Sequence, residues 1–252
     1  MGRLRLAPAS LARGLCLLAT LGLATSALAV VGVSSDGARF ADRVVMILTR
    51  GPEGAGFCTG VVVAPSAVLT AAHCLKPARD MLVFTRGAQG EERTWLVAEA
   101  AANPRYAPNA IRERTPSVDL ALVKTATPFG PEFHAPNLSD EEEFSIGAPA
   151  VLVGFGARSE GDRMSEGALR VATLKVRQPL SRLLLWAADS KGGAGACSGD
   201  SGAPIFSADE RTVIATVAWS AGDGGRRCGA LTQGPLIAPN RAWIDATLAK
   251  WR

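Results

Sequence analysis

The sequence predicts an all-β protein of antiparallel sandwiches or barrels, closed by a C-terminal α-helix. Two observations carry this reading. Short runs rich in β-branched and apolar residues recur from Val30 onward, punctuated by Gly, Pro and Asn. The last segment, NRAWIDATLAKW, then changes period: Ile244, Leu248 and Trp251 fall at i, i+4 and i+7, one face of a helix.

The first set of runs is RVVMIL, FCTGVVV, AVLTA, MLVFT, RTWLVAE and DLALVK. GPEG, RGAQG and NPRYAPN separate them as turns. The second set is AVLVGF, ALRVATLKV, RLLLWAA, APIFS and TVIATVAW. Between the sets lies TATPFGPEFHAPNLSDEEEF, residues 125–144, with three prolines and the acidic cluster Asp140 to Glu143. It reads as a connector whose acids face water. Asn240 stands where a side chain caps the terminal helix.

Residues 1–29 differ from the rest. Arg3, Arg5 and Arg13 precede and flank an apolar run from Leu15 to Leu23, and Ala27-Leu28-Ala29 is an A-x-A cleavage site. That is the pattern of a secretory signal peptide. The competing reading is a retained membrane anchor, because Gly14 to Val33 is uncharged and just long enough to span. Ala, Ser, Thr and Gly in its second half weigh against that. The expectation is export, to the periplasm or the medium, with no stable membrane insertion after cleavage. Without the three leader arginines, the 27 basic residues come close to balancing the 23 acidic ones. A nucleic-acid partner is therefore not implied.

Cys58, Cys74, Cys197 and Cys228 follow the leader, an even number that allows three pairings. Local pairing, Cys58–Cys74 and Cys197–Cys228, is the simplest. Disulfides agree with an oxidising compartment. There is no C-x-x-C, and His73 and His134 are the only histidines, so neither a metal nor a cofactor is expected.

ACSGDSGAP, residues 196–204, places Ser201 among small residues. A serine hydroxyl is a poor nucleophile without a base. His73, in LTAAHC, ends an apolar strand beside a cysteine, whereas His134 lies in the polar connector and reads as a surface residue. Asp119 opens DLALVK and is the candidate orienting carboxylate. The G-x-S-x-G elbow of α/β-hydrolases is excluded, because its histidine follows the serine and none does here.

TAAHC, DLAL and GDSGAP, in that order, resemble the chymotrypsin-fold (trypsin-like) serine proteases. The resemblance runs from Val30 to the terminal helix. It implies two six-stranded antiparallel β-barrels, here residues 30–135 and 136–252, the second with the C-terminal helix. It also implies that Ser201 attacks the scissile carbonyl, His73 moves the proton and Asp119 orients His73. The Gly199 and Ser201 amides would form the oxyanion hole. In this family an aspartate at the position of Asp200 pairs with a freed N-terminal amine. VVGV begins at Val30, so signal removal alone would create that amine, with Val33 departing from the family's glycine.

The resemblance also locates the substrate pocket at Gly195, Ser198 and the wall Ala218-Trp219-Ser220. Gly195 stands where trypsin-like members carry the aspartate that binds Lys or Arg. A neutral pocket suits small or medium apolar side chains. A glutamate-preferring pocket is the alternative, with Ser198, Ser220, Arg226 and Arg227 as its polar groups. Ala218 removes a hydroxyl that would support Asp119. The expected partner is a protein or peptide substrate and the expected state a monomer. A non-catalytic binding protein on the same scaffold, and a protease held at the membrane by its leader, are the competing functions.

Overall fold

A computed structural model describes residues 1–2, 35–52, 54–87, 91–158, 160–162, 165–191 and 193–252. Leader residues 3–29 and Val30 lie outside the described residues. Ser35–Asp36 form β1. Six strands follow: β2 (Val44–Gly51), β3 (Gly54–Ala64), β4 (Ala67–Thr70), β5 (Met81–Arg86), β6 (Glu92–Ala102) and β7 (Ala121–Thr125). They match the first set of β-branched runs. They close into a barrel in the order β2-β3-β4-β7-β6-β5. Register shifts at Val62/Ala64 in β3 and Val97/Glu99 in β6 bend those strands, as closure requires. A short helix, α1 (Ala110–Glu113), lies between β6 and β7 and has no periodic signal in the sequence.

The second half holds β8 (Asn137–Leu138), β9 (Pro149–Gly154), β10 (Arg170–Val176), β11 (Leu184–Ala188), β12 (Pro204–Phe206), β13 (Thr212–Thr216), β14 (Trp219–Ala221) and β15 (Leu231–Pro235). They form a sheet in the order β14-β15-β11-β10-β9-β12-β13-β8, with β1 added to β10. The expected second closed barrel is corrected: this sheet stays open. β13 meets the end of β15 through one isolated bridge, Ala215 to Leu236. A side chain at Gly234 would lie 1.5 Å from the Thr216 carbonyl oxygen, so glycine permits the two backbones to approach closely at that point. Pro235 also lacks the N–H that would extend a ladder.

Three large clusters of buried side chains, among the described residues, hold the fold together. One, around Val45, Ile47, Val83 and Trp95, belongs to the closed barrel. A second, around Leu152, Leu174, Ile205 and Ile214, belongs to the open sheet. The third joins the halves, with Val44, Leu69 and Leu122 on one side and Val153, Phe155 and Phe206 on the other. Helix α2 (Arg241–Lys250) seats Ile244 and Leu248 on this third cluster, and Trp251 follows from its C-cap. Asn240 is at the cap position but makes no capping bond. It is buried, and its side-chain oxygen accepts from Asn103 Nδ2 at 3.3 Å and a terminal nitrogen of Arg105 at 2.8 Å. A buried amide with two donors in reach stays with them rather than turning to the helix end.

Among the described residues no helix is long and apolar enough to cross a membrane. The structure pairs Cys58 with Cys74 and Cys197 with Cys228.

Candidate active site

His73 sits in a single 3-10 turn, Ala72–Cys74, just after β4. The Cys58–Cys74 disulfide pins that turn to β3. Asp119 lies two residues before β7, the barrel neighbour of β4. Strand pairing therefore brings the two together across 46 residues. The His73 backbone N–H donates to Asp119 Oδ1 at 2.9 Å, and Nδ1 lies 2.5 Å from Oδ2. A carboxylate facing Nδ1 fixes the proton there and leaves Nε2 as the acceptor. The imidazole is 38% exposed and the carboxylate 17%. His134 is elsewhere, at the surface, with Nδ1 3.6 Å from Asp42.

Ser201 comes from the other half, in the turn before β12. Thr59 of β3 donates its N–H to the Ser201 carbonyl at 2.8 Å. Cys74 Sγ lies 3.9 Å from that same oxygen, and a His73 ring nitrogen lies within 4.8 Å of Cys74 Sγ. The imidazole and the serine backbone are thus less than a nanometre apart, across the disulfide. The Ser201 hydroxyl makes no hydrogen bond to His73 among the described residues.

The serine turn has a fixed shape. Gly199 has φ +92°, and a side chain there would strike the Phe57 ring at 2.5 Å. Only glycine takes this conformation in this space. The Gly199 carbonyl accepts from Thr59 Oγ1 at 2.8 Å. Neither the Gly199 nor the Ser201 N–H donates to a protein acceptor among the described residues.

Asp200 is completely buried. Its Oδ1 accepts from the Gly156 N–H at 2.8 Å and its Oδ2 from the Cys197 N–H at 3.0 Å. Side chains at Gly154 and Gly156 would collide with this carboxyl at 2.1 and 2.3 Å, so the two glycines form its cradle. Burial pushes its pKa up to about 6, against the pull of the two N–H groups and Arg170. Its sequence-expected partner, Val30, falls outside the described residues.

Ser198, Ala218, Trp219 and Ser220 line a cavity of about 300 Å³ beside Ser201. Gly195 is buried, and an added Cβ there would lie 3.1 Å from the Gly229 backbone. Glu160 and Arg227 also line the cavity. Arg227 is one of the polar groups the sequence offers for an acid-preferring pocket. Glu160 carries no local signal, because it meets Arg227 across 67 residues. A neighbouring cavity of about 460 Å³ holds His73, Tyr106, Asp119 and Leu183, and shares Ala218 and Trp219. Burial and the nearby Asp119 charge raise the Tyr106 pKa.

This arrangement defines a class: a β-rich protein with an oriented imidazole, and a nearby serine whose flanking amides are free. The family model described as Trypsin matches residues 30–237, and the chain belongs to the trypsin family of serine proteases. Mouse serine protease 56 is 33% identical over 194 residues, covering 68% of this chain and 31% of that protein. Human granzyme M is 29% identical over 213 residues, covering 76% of this chain and 79% of that protein. The chain thus spans about a third of serine protease 56. Among solved structures, a scabies mite inactivated protease paralogue matches with TM-score 0.69 and 20% identity, over 87% of this chain and 99% of that one. Mouse neuropsin matches with TM-score 0.67 and 21% identity, over 85% and 97%. At these identities the structures establish the chymotrypsin fold alone.

Proposed function

We propose that the chain is an exported serine endopeptidase, with Ser201 as nucleophile, His73 as general base and Asp119 as the orienting acid. The observation that carries this is the double contact of Asp119 with His73, through backbone and ring, opposite a glycine-shaped serine turn with free amides. In the reaction the Ser201 oxygen bonds to the scissile carbonyl carbon while His73 Nε2 takes its proton. The carbonyl electrons move to oxygen, and the Gly199 and Ser201 N–H groups receive that charge. His73 then protonates the leaving amine as the C–N bond breaks. Water repeats the sequence to free the acid. Catalytic hydrogen bonds that are long without substrate tighten when it binds, which accommodates the unbonded Ser201 hydroxyl. A positioned base contributes about 10²–10⁴-fold, and each oxyanion donor about 3–4 kcal/mol.

Activation by the Val30 amine fits the register. Asp36 pairs with Arg170, and Arg170 with Gly154, whose missing side chain is replaced by Asp200 Oδ1. Two strand spacings cover roughly 10 Å. The residues from Val30 to Ser35 reach up to about 17 Å when extended, enough to bring the amine to Asp200. The neutral wall supports small or medium apolar residues before the cut, and Arg227 on that wall keeps an acid-preferring pocket as the second reading.

The test is covalent labelling by a fluorophosphonate. The oxidised protein should label, Ser201→Ala should not, and His73→Ala should label at least a hundredfold more slowly. Oxidised, folded protein that stays unlabelled would overturn the enzyme reading in favour of a binding role.

A further inference from the structure

The cavity beside Ser201 has one acid on its wall, Glu160, and one base, Arg227. Each engages the other twice over. Glu160 Oε2 accepts the Arg227 backbone N–H at 2.7 Å, and Oε1 accepts the Nε–H at 2.5 Å. Glu160 is the more sheltered partner, at 28% exposure against 88% for the Arg227 side chain. The two terminal guanidinium nitrogens of Arg227 make no hydrogen bond among the described residues. The adjacent Arg226 turns its Nε to the Asp223 carbonyl at 3.2 Å. The remaining wall is uncharged: Ser198, Ser220, Val217, Trp219 and the Cys197–Cys228 disulfide among it.

We propose that Glu160 is a specificity-determining residue, an internal competitor that neutralises Arg227 and so turns away substrates with Glu or Asp before the scissile bond. This rests on the peptidase reading above. An acidic side chain entering the cavity meets a guanidinium whose charge is already matched. It also places a second carboxylate near the first, and like charges disfavour each other. An uncharged side chain meets neither obstacle. Without Glu160, the same arginine offers its full charge and free fork to a substrate carboxylate, a geometry suited to planar two-point recognition. The selectivity of this pocket is thus set by a residue that would never touch the reacting atoms.

The experiment compares the wild-type chain, Glu160→Gln, Arg227→Gln and the double variant on peptides that differ only in Gln or Glu before the cut. The ratio of kcat/KM for Glu over Gln isolates charge from shape. Glu160→Gln should raise that ratio about two- to fivefold, the scale of an exposed ion pair. The double variant should lose the gain. An unchanged ratio in Glu160→Gln, or a gain that survives removal of Arg227, would overturn the proposal. Fluorophosphonate labelling of all four proteins separates the outcomes. Labelled variants with a flat ratio refute the competitor alone, whereas an unlabelled wild type refutes the peptidase reading and this proposal with it.

Discussion

Thr59 touches both ends of the serine turn. Its N–H holds the Ser201 carbonyl, and its hydroxyl donates to the Gly199 carbonyl at 2.8 Å while accepting from the Phe155 N–H at 3.2 Å. The residue is fully buried. Thr59→Val keeps the β-branched shape and deletes only the hydroxyl. A part-buried carbonyl and a buried N–H then lose their partner, a loss of about 1–3 kcal/mol. The expected result is a lower unfolding midpoint and a fall in kcat with little change in KM, read by denaturant titration and steady-state kinetics. An unaltered kcat would mean that the turn keeps its shape unaided. At this scale the sequence was only partly legible. His73, Asp119 and Ser201 stand in recognisable motifs. Thr59 reads as an ordinary strand residue, because its partners lie 140 and 96 residues away.

Strands and helices were legible where composition and periodicity spoke together. The β-branched runs of the first half became β2 to β7, and the Ile244–Leu248 face became the buried side of α2. Strand β15 carries no sequence signal, because Leu-Thr-Gln-Gly-Pro has neither alternation nor β-branched density. Its pairing with β11 and β14 makes it a strand, a tertiary effect that overrides propensity. Asn240 is the same lesson at a helix end. It sits where a cap belongs, yet its side chain ties α2 to Asn103 and Arg105 of the first half and donates to Leu236 at 2.7 Å. Asn240→Leu leaves the buried Asn103 amide and the buried Leu236 carbonyl without this partner. The expected cost is about 1–3 kcal/mol in urea unfolding. A surface cap of the same helix would respond less, and would not be sensitive to Arg105→Ala in a double-mutant cycle.

The whole molecule stores a charge at its centre. Asp200, with its pKa near 6 in the fold and about 3.8 ordinarily, binds a proton more tightly folded than unfolded. Its contribution to stability is therefore complete below pH 4 and declines as pH rises through 6. The loss is about 3 kcal/mol. The Asp200→Asn variant of a leader-retaining chain should lack this decline, and the difference between the two, measured by denaturant unfolding from pH 4 to 7, isolates it. A chain beginning at Val30 should show little of the decline, because its amine would meet the carboxylate. An equal decline in both forms would contradict that pairing. Gly154, Gly156, Cys197 and Arg170 all bear on this one buried group, so the GDSG motif marks Asp200 but does not reveal what surrounds it.

The bridge between Ala215 and Leu236 has a dynamic consequence. A closed barrel opens only by breaking a ladder, whereas this seam is held by one bridge and a few flanking backbone hydrogen bonds. The β13–β15 edge should therefore breathe ahead of the rest, and its amides should trade hydrogen for deuterium sooner than those of β2 and β3. Wear on this molecule, by proteases or heat, would start beside its serine and leave the cylinder that carries the histidine until last.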